Sequence, residues 1–359
     1  MIGSILSRSW PQRRPLRALL VIVVGSLVTT ACGASGSSTP GSSAGGVSAA
    51  ATASRTSTPS TNPVAATGTV HTLDVSGVAS GVVTVPAGQT MTVAARSHLR
   101  FGAGASLLVR GTLVVAGPVT MTGSGWAGII VAGGGALDLR QATIAGAMNP
   151  VTVQRGARAS LTRVTITGES SPFTVLPTGS LSLDTVTVAR AGAQSFIDGD
   201  LHATALDYNK GAGEGFTALK GTARITIANS RLHGDGPSTG DMLSMRSGDS
   251  LTVTTTEITG AHCAFHLVGL NSLALDRANI HGNSYAFMMY QTSSVGTRVI
   301  KNSNIDNNLD YGIDEGSKYN TNGPITIENT YIAHNGKDLA LYTHAITVTS
   351  PATRPIAIP

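Results

Sequence analysis

An isoleucine-like apolar anchor recurs at Ile144, Ile166, Val188, Leu206, Leu232, Ile258, Ile280, Ile305 and Ile332, at intervals of 18 to 27 residues. A repeat in the low twenties marks a solenoid, whose units bury their apolar sides only against neighbouring units. Seven and five residues before the anchors stand apolar pairs such as Leu137 and Leu139, Leu181 and Leu183, Ile225 and Ile227, Leu251 and Val253, Leu273 and Leu275, and Ile325 and Ile327. Their two-residue alternation predicts strand, not helix. Further pairs follow at plus seven and plus nine: Val151 and Val153, Phe173 and Val175, Phe265 and Leu267, Phe287 and Met289, Leu339 and Leu341. The predicted fold is all-β, a parallel solenoid with three short strands per coil and coils about 4.8 Å apart.

Asparagine keeps the same register. Asn283, Asn308 and Asn335 each stand three residues after an anchor, and Asn302 and Asn329 three before. Stacked turn amides hydrogen-bond along a ladder and tolerate left-handed backbone, so a structural role is expected for all five. The Leu/Asn signature of leucine-rich repeats is absent. Residues 70–346 instead resemble the right-handed parallel β-helix, pectate-lyase-like superfamily. The segments Val85-Pro86-Ala87-Gly88-Gln89-Thr90, Gly104-Ala105-Ser106-Leu107, Gly111-Thr112-Leu113 and Trp126-Ala127-Gly128-Ile129 are similar to the start of many bacterial secreted β-helices. The resemblance implies an extracytoplasmic protein that binds or acts on polysaccharide. Its catalytic motifs do not carry over: the Asn-Thr-Asp, Asp-Asp, Gly-His-Gly and Arg-Ile-Lys motifs of polygalacturonase-like members and the Trp-Ile-Asp-His of pectate lyases are missing, and Arg224-Ile225-Thr226 is only a fragment.

The formal charge of +5 is concentrated at one end. Arg8, Arg13, Arg14 and Arg17 precede a short apolar run, Ala18 to Val28, the pattern of a signal peptide. Leu27-Val28-Thr29-Thr30-Ala31-Cys32 then resembles a bacterial lipobox and implies lipidation at Cys32, with residues 1–31 removed. What remains has 20 Lys and Arg against 19 Asp and Glu, so no electrostatic basis for nucleic-acid binding is expected. Residues 32–67 are rich in Ser, Thr, Gly, Ala and Pro and predict a disordered tether. The solenoid then spans residues 68–349. A Pro-rich tail, 350–359, is expected to lie over the last coil and shield its open edge.

All seven tyrosines lie from Tyr208 onward and seven of the nine histidines from His202 onward, which places candidate chemistry in the second half. Strand alternation turns His266, Met288, Asp314 and Ala340 outward in one column and, two residues on, Tyr290 and Tyr342 beside it; His266, Tyr290, Asp314, Tyr342 and His344 thus share one outward face. Aromatic rings pack on sugar C–H faces while Asp and His bond to hydroxyls, so these five are candidate glycan-binding residues. A second group, Asp198, Asp200, His233, Asp235 and Asp241, with Asp207, offers paired carboxylates for acid and base work in glycoside hydrolysis. The Gly-rich runs 211–215 and 234–240 mark loops that wall a groove. Cys263 reads as a packed small residue in register with Tyr285 and Tyr311. No Cys/His spacing describes a zinc site, no carboxylate run specifies calcium, and no cofactor is expected. The leading expectation is a surface-anchored or secreted β-helix lipoprotein that binds a cell-wall or extracellular polysaccharide and meets the membrane only through its lipid. A divergent lyase, hydrolase or epimerase and an adhesive spacer are the alternatives, and whether the protein is an enzyme is left open.

Overall fold

The structure is a computed structural model. It describes residues 70–358 apart from 74–76, 169, 247, 291–295 and 317–322. The expected signal segment, Cys32 and the tether lie outside the described residues.

The chain passes in fixed rotation through three parallel sheets, which hold 13, 12 and 12 strands among the described residues. Each strand pairs with those three places before and after it, so one coil contributes one strand to every sheet. Leu251 aligns with Leu273 in the first sheet, Ile258 with Ile280 in the second and Phe265 with Phe287 in the third. All six are exposed by 1% or less. Because the pairing is parallel and in register, like side chains stack on like. The rings of Phe265 and Phe287 lie 4.5 Å apart and nearly parallel, and Phe101 stacks on Trp126 at 4.3 Å. These spacings are close to the strand repeat of about 4.8 Å.

The corner between the first and second sheets has a single backbone solution. In every coil from Gln141 to Asn329 the residue three places before the anchor has positive φ: Gln141, Arg163, Thr185, Ala205, Asn229, Thr255, Arg277, Asn302 and Asn329. At each corner its N–H donates to a carbonyl of the following coil, as Thr255 does to Asp276 and Arg277 to Lys301. The left-handed residue thus carries the ladder around the bend without leaving a buried N–H unpaired. On the far side of the second sheet the asparagine ladder forms. Asn283 Nδ2 donates to Asn308 Oδ1 at 3.0 Å, Asn308 Nδ2 donates to Asn335 Oδ1 at 2.9 Å, and the same oxygens take the Asn283 and Asn308 backbone N–H groups. Asn329 Nδ2 likewise donates to Asn302 Oδ1 at 2.8 Å.

Several positions differ from the periodic expectation. The anchor after Val188 is Tyr208, not Leu206, since Tyr208 pairs with Val188 on one side and Leu232 on the other. Leu206 is buried but sits two residues earlier, just past the left-handed Ala205. A tyrosine fits inside because its ring lies 4.4 Å from Phe216 and its hydroxyl meets Ser195 Oγ at 3.1 Å. Leu341, expected to be inward, is exposed, because the third-sheet strand of the last coil ends at Ala340. Arg298 occupies the apolar position beside Leu273; its Nη1 donates to the carbonyls of Leu270 and Asn271. The C-terminal tail starts on the second-sheet edge of the last coil, where Asn329 N–H donates to Ser350 O, but does not stay there. It runs back along the second sheet, with Ala352 N–H on Thr330 O and Ile356 paired in both directions with the Asn304 side chain.

Two stability measurements check this register. Ile258→Ala or Ile280→Ala is expected to lose about 2–5 kcal/mol in urea unfolding, while Thr252→Ala on the outward face changes stability by less than about 0.5 kcal/mol. Thr255→Asn is expected to raise stability by about 0.5–1 kcal/mol, because a β-branched residue at φ 46° is replaced by one that tolerates the left-handed region; thermal unfolding reads the gain.

Candidate functional site

Between the second and third sheets the connecting loops are long at residues 210–215 and 234–242 and then close to three residues at 260–262. The loops stack: Asp235 N–H donates to Gly211 O, Gly215 N–H to Asp241 O, and His262 N–H to Gly240 O. A fully buried lysine joins the first two. Lys210 Nζ donates to Gly213 O at 2.8 Å and to Thr239 Oγ1 at 2.7 Å. Gly234 leaves the room for it: a Cβ there would run into the Gly260 carbonyl and come within 2.8 Å of Lys210 Cε. Burial pulls the Lys210 ammonium down to about 8, although Glu214, Asp241 and Asp235 favour its charge.

This stack delivers Asp241 to the rim of the third sheet. His262 Nδ1 lies 3.0 Å from Asp241 Oδ1, and His266 Nδ1 lies 2.7 Å from Oδ2. The Cys263 backbone N–H donates to Oδ1 at 3.1 Å. Burial works to raise the Asp241 carboxyl, but the hydrogen bonds from the two histidines outweigh it and hold the group at about 2. Glu214 Oε2 accepts the Asp241 N–H at 3.0 Å; burial and the neighbouring Asp241 charge push its carboxyl upward. Cys263 Sγ is 3.3 Å from His262 Nδ1, and burial raises this thiol far above its ordinary range.

On the next coils the face becomes aromatic. Tyr285 and Tyr311 follow Cys263 in register, and their rings stack at 5.2 Å with 17° between planes. His262 packs edge-on against Tyr285 at 5.3 Å, and His266 against Tyr290 at 5.8 Å. Burial and the charge of Asp314 raise both the Tyr285 and the Tyr290 hydroxyls, with Asp310 adding to the effect on Tyr285.

The structure therefore regroups the residues singled out from the sequence. His266, Met288, Asp314 and Ala340 do form one column, but Asp314 is 9% exposed and its Oδ1 caps its own turn by accepting the Gly316 N–H. Tyr342 and His344 lie on the exposed loop after the last third-sheet strand, where Glu315 holds the Tyr342 and Thr343 N–H groups. The second group does not assemble. Asp198 caps the Leu219 and Lys220 N–H groups, Asp200 faces Arg224 at 3.5 Å, His233 bonds Asp207 at 3.1 Å, and Asp235 pairs with Arg190 at 2.7 Å. Asp241 alone leaves that group and joins His266. Lys210, Glu214 and His262 are the residues that periodicity missed, while Tyr285 and Tyr311 were placed in register with Cys263 but not among the candidates. Counting from Tyr208 as the anchor of its coil is the signal that brings the loops into register.

A groove of about 730 Å³ runs between Leu206, Asp207, Arg231, Glu257, Asn279 and Ile358, on the second-sheet side that the tail follows. It does not include the Asp241 cluster, which sits on an open face. Such a face suits an extended polymer better than a small molecule, which needs enclosure.

The family model for the right-handed β-helix region matches residues 213–352, which contain every residue of this site except Lys210. The matched span is a right-handed β-helix, and the described residues before it continue the same parallel three-sheet coil. No curated protein and no solved structure matches the chain significantly. The β-helix assignment concerns architecture; function has to be argued from the face itself.

Proposed function

We propose that this β-helix is a surface-anchored polysaccharide-binding protein whose binding face runs along the loop-side edge of the third sheet. The observation that carries this reading is the stacked pair Tyr285–Tyr311 adjoining Tyr290, His262 and His266 on successive coils. Sugar rings present C–H faces to aromatics and hydroxyls to carboxylates and imidazoles, and a linear polymer meets a repeating surface repeatedly. The local charge selects among glycans. Asp241, Glu214, Asp310 and Asp314 lie along the face and outnumber Lys337, the exposed ammonium next in register after Tyr311, while Lys210 is buried beneath. A polyanion would be repelled, so the ligand class is a neutral polysaccharide.

Anchoring belongs to the same proposal and rests on the lipobox-like Leu27 to Cys32 segment that ends the apolar run. A multiply acylated cysteine holds a protein stably to a membrane, whereas a single chain does not.

Calorimetry with a neutral glycan selected on an array tests the face. Tyr285→Ala and Tyr311→Ala are each expected to weaken binding by about 0.5–1.5 kcal/mol, with little change between low and moderate salt, while Tyr342→Ala leaves affinity unchanged. Equal affinity in all three variants moves the binding face elsewhere, and new reducing ends or unsaturated products in the same mixtures replace binding by cleavage. Mass spectrometry of membrane-extracted protein is expected to show a diacylated or triacylated N-terminus at Cys32, and Cys32→Ser is expected to abolish both the modification and membrane retention.

A further inference from the structure

We propose that Asp241, His262 and Cys263 form a binding site for a zinc ion at the loop end of the third-sheet face. One ligand atom from each residue lies within 4.8 Å of the other two. Asp241 Oδ1 is 3.0 Å from His262 Nδ1, which is 3.3 Å from Cys263 Sγ. With bonds of about 2.0–2.1 Å to oxygen and nitrogen and about 2.3 Å to sulfur, a tetrahedral zinc needs ligand separations of about 3.3–3.6 Å. Those two pairs need only spread by a few tenths of an ångström, and the Asp241 and Cys263 ligand atoms already lie within 4.8 Å.

The surroundings are those of a built site. The Cys263 backbone N–H holds Asp241 Oδ1 at 3.1 Å, and Met242 N–H donates to Cys263 O, so the two coils that supply the ligands are tied beside the ligand atoms. His266 occupies Asp241 Oδ2 at 2.7 Å, leaving Oδ1 to face the metal as a single donor. Such an outer hydrogen bond orients a ligating carboxylate. Cys263 and Asp241 lie deep, with the Cys263 residue fully buried and the Asp241 side chain 13% exposed, while the His262 side chain is 44% exposed. The open side leaves a fourth coordination position for water or a hydroxyl from a bound molecule.

The donor set decides the metal. A thiolate with an imidazole and one carboxylate oxygen suits zinc, whereas magnesium and calcium take oxygen donors. Thiolate and carboxylate together neutralise the dication; on binding the thiol proton leaves to solvent and neutral His262 carries its proton on Nε2, freeing Nδ1 from its hydrogen bond to Asp241 to ligate the metal. No Cys/His spacing announces the site because one coil of the solenoid, 22 residues from Asp241 to Cys263, separates ligands that are neighbours in space.

The test uses the full chain stripped with chelator, equimolar zinc or cobalt, and no sugar, so that it fails or succeeds independently of glycan binding. About one zinc per chain is expected to survive gel filtration, and cobalt is expected to give a near-ultraviolet sulfur-to-cobalt charge-transfer band with the visible bands of four-coordinate cobalt. Cys263→Ala and His262→Ala are expected to remove the retained metal and the band, whereas Cys32→Ser keeps both. His266→Gln is expected to weaken zinc affinity by about 10–100-fold without abolishing it. Because His262 is solvent-facing, His262→Ala keeps the fold, as circular dichroism will show, even if Cys263→Ala does not. No retained metal in the parent chain, or the same retention and band in His262→Ala, overturns the proposal.

Discussion

Parallel pairing between successive coils is the constraint on which everything else rests. Each strand finds its hydrogen-bond partners about 4.8 Å above and below itself, so a residue's environment is set by the residues at the same position one coil away. Register then propagates. The stacked pair Phe265–Phe287, the left-handed corner from Gln141 to Asn329 and the amide ladder Asn283–Asn308–Asn335 are three expressions of one ladder. The corner shows which force prevails: threonine, arginine and alanine are all driven to positive φ there, although only glycine and asparagine adopt it readily. The continuous backbone ladder outweighs the local preference of each side chain.

The same constraint explains where chemistry gathers. A solenoid core is narrow and repetitive, and its strands have little freedom to place unusual groups. Freedom resides at the corners, and between residues 210 and 242 the loops there are long enough to fold on one another. Lys210 fastens them from beneath, Gly234 opens the space for its side chain, and Asp241 is carried outward to the two histidines. Beyond them the corner shortens again, and Tyr285 and Tyr311 stack as regularly as core residues do. The candidate face is therefore half loop and half ladder, with polar groups at one end and aromatic groups at the other.

Much of this was legible in the sequence. The alternation of apolar residues, the period in the twenties and the registered asparagines depend on local pattern repeated many times, and together they determined a three-strand parallel coil. They also placed His266, Met288, Asp314 and Ala340 in one column, because strand alternation transfers directly to the folded sheet. What failed were positions where one coil departs from its neighbours. Leu206 stood in for Tyr208 because an apolar residue two places away satisfies a periodic count equally well, and only pairing with Val188 and Leu232 separates them.

The site was decided by tertiary structure for the same reason. Asp241 belonged by sequence to a cluster with Asp198, Asp200, His233 and Asp235, and each of these instead satisfies a turn or an ion pair of its own. Loops of unequal length have no period, so nothing in their spelling states that Asp241 meets His262 and His266 or that Lys210 is covered. Sequence by itself determined the ladder, because a ladder is local information repeated coil after coil. Only the folded chain decided the face, because its polar groups come from irregular loops whose positions are fixed by contacts between coils.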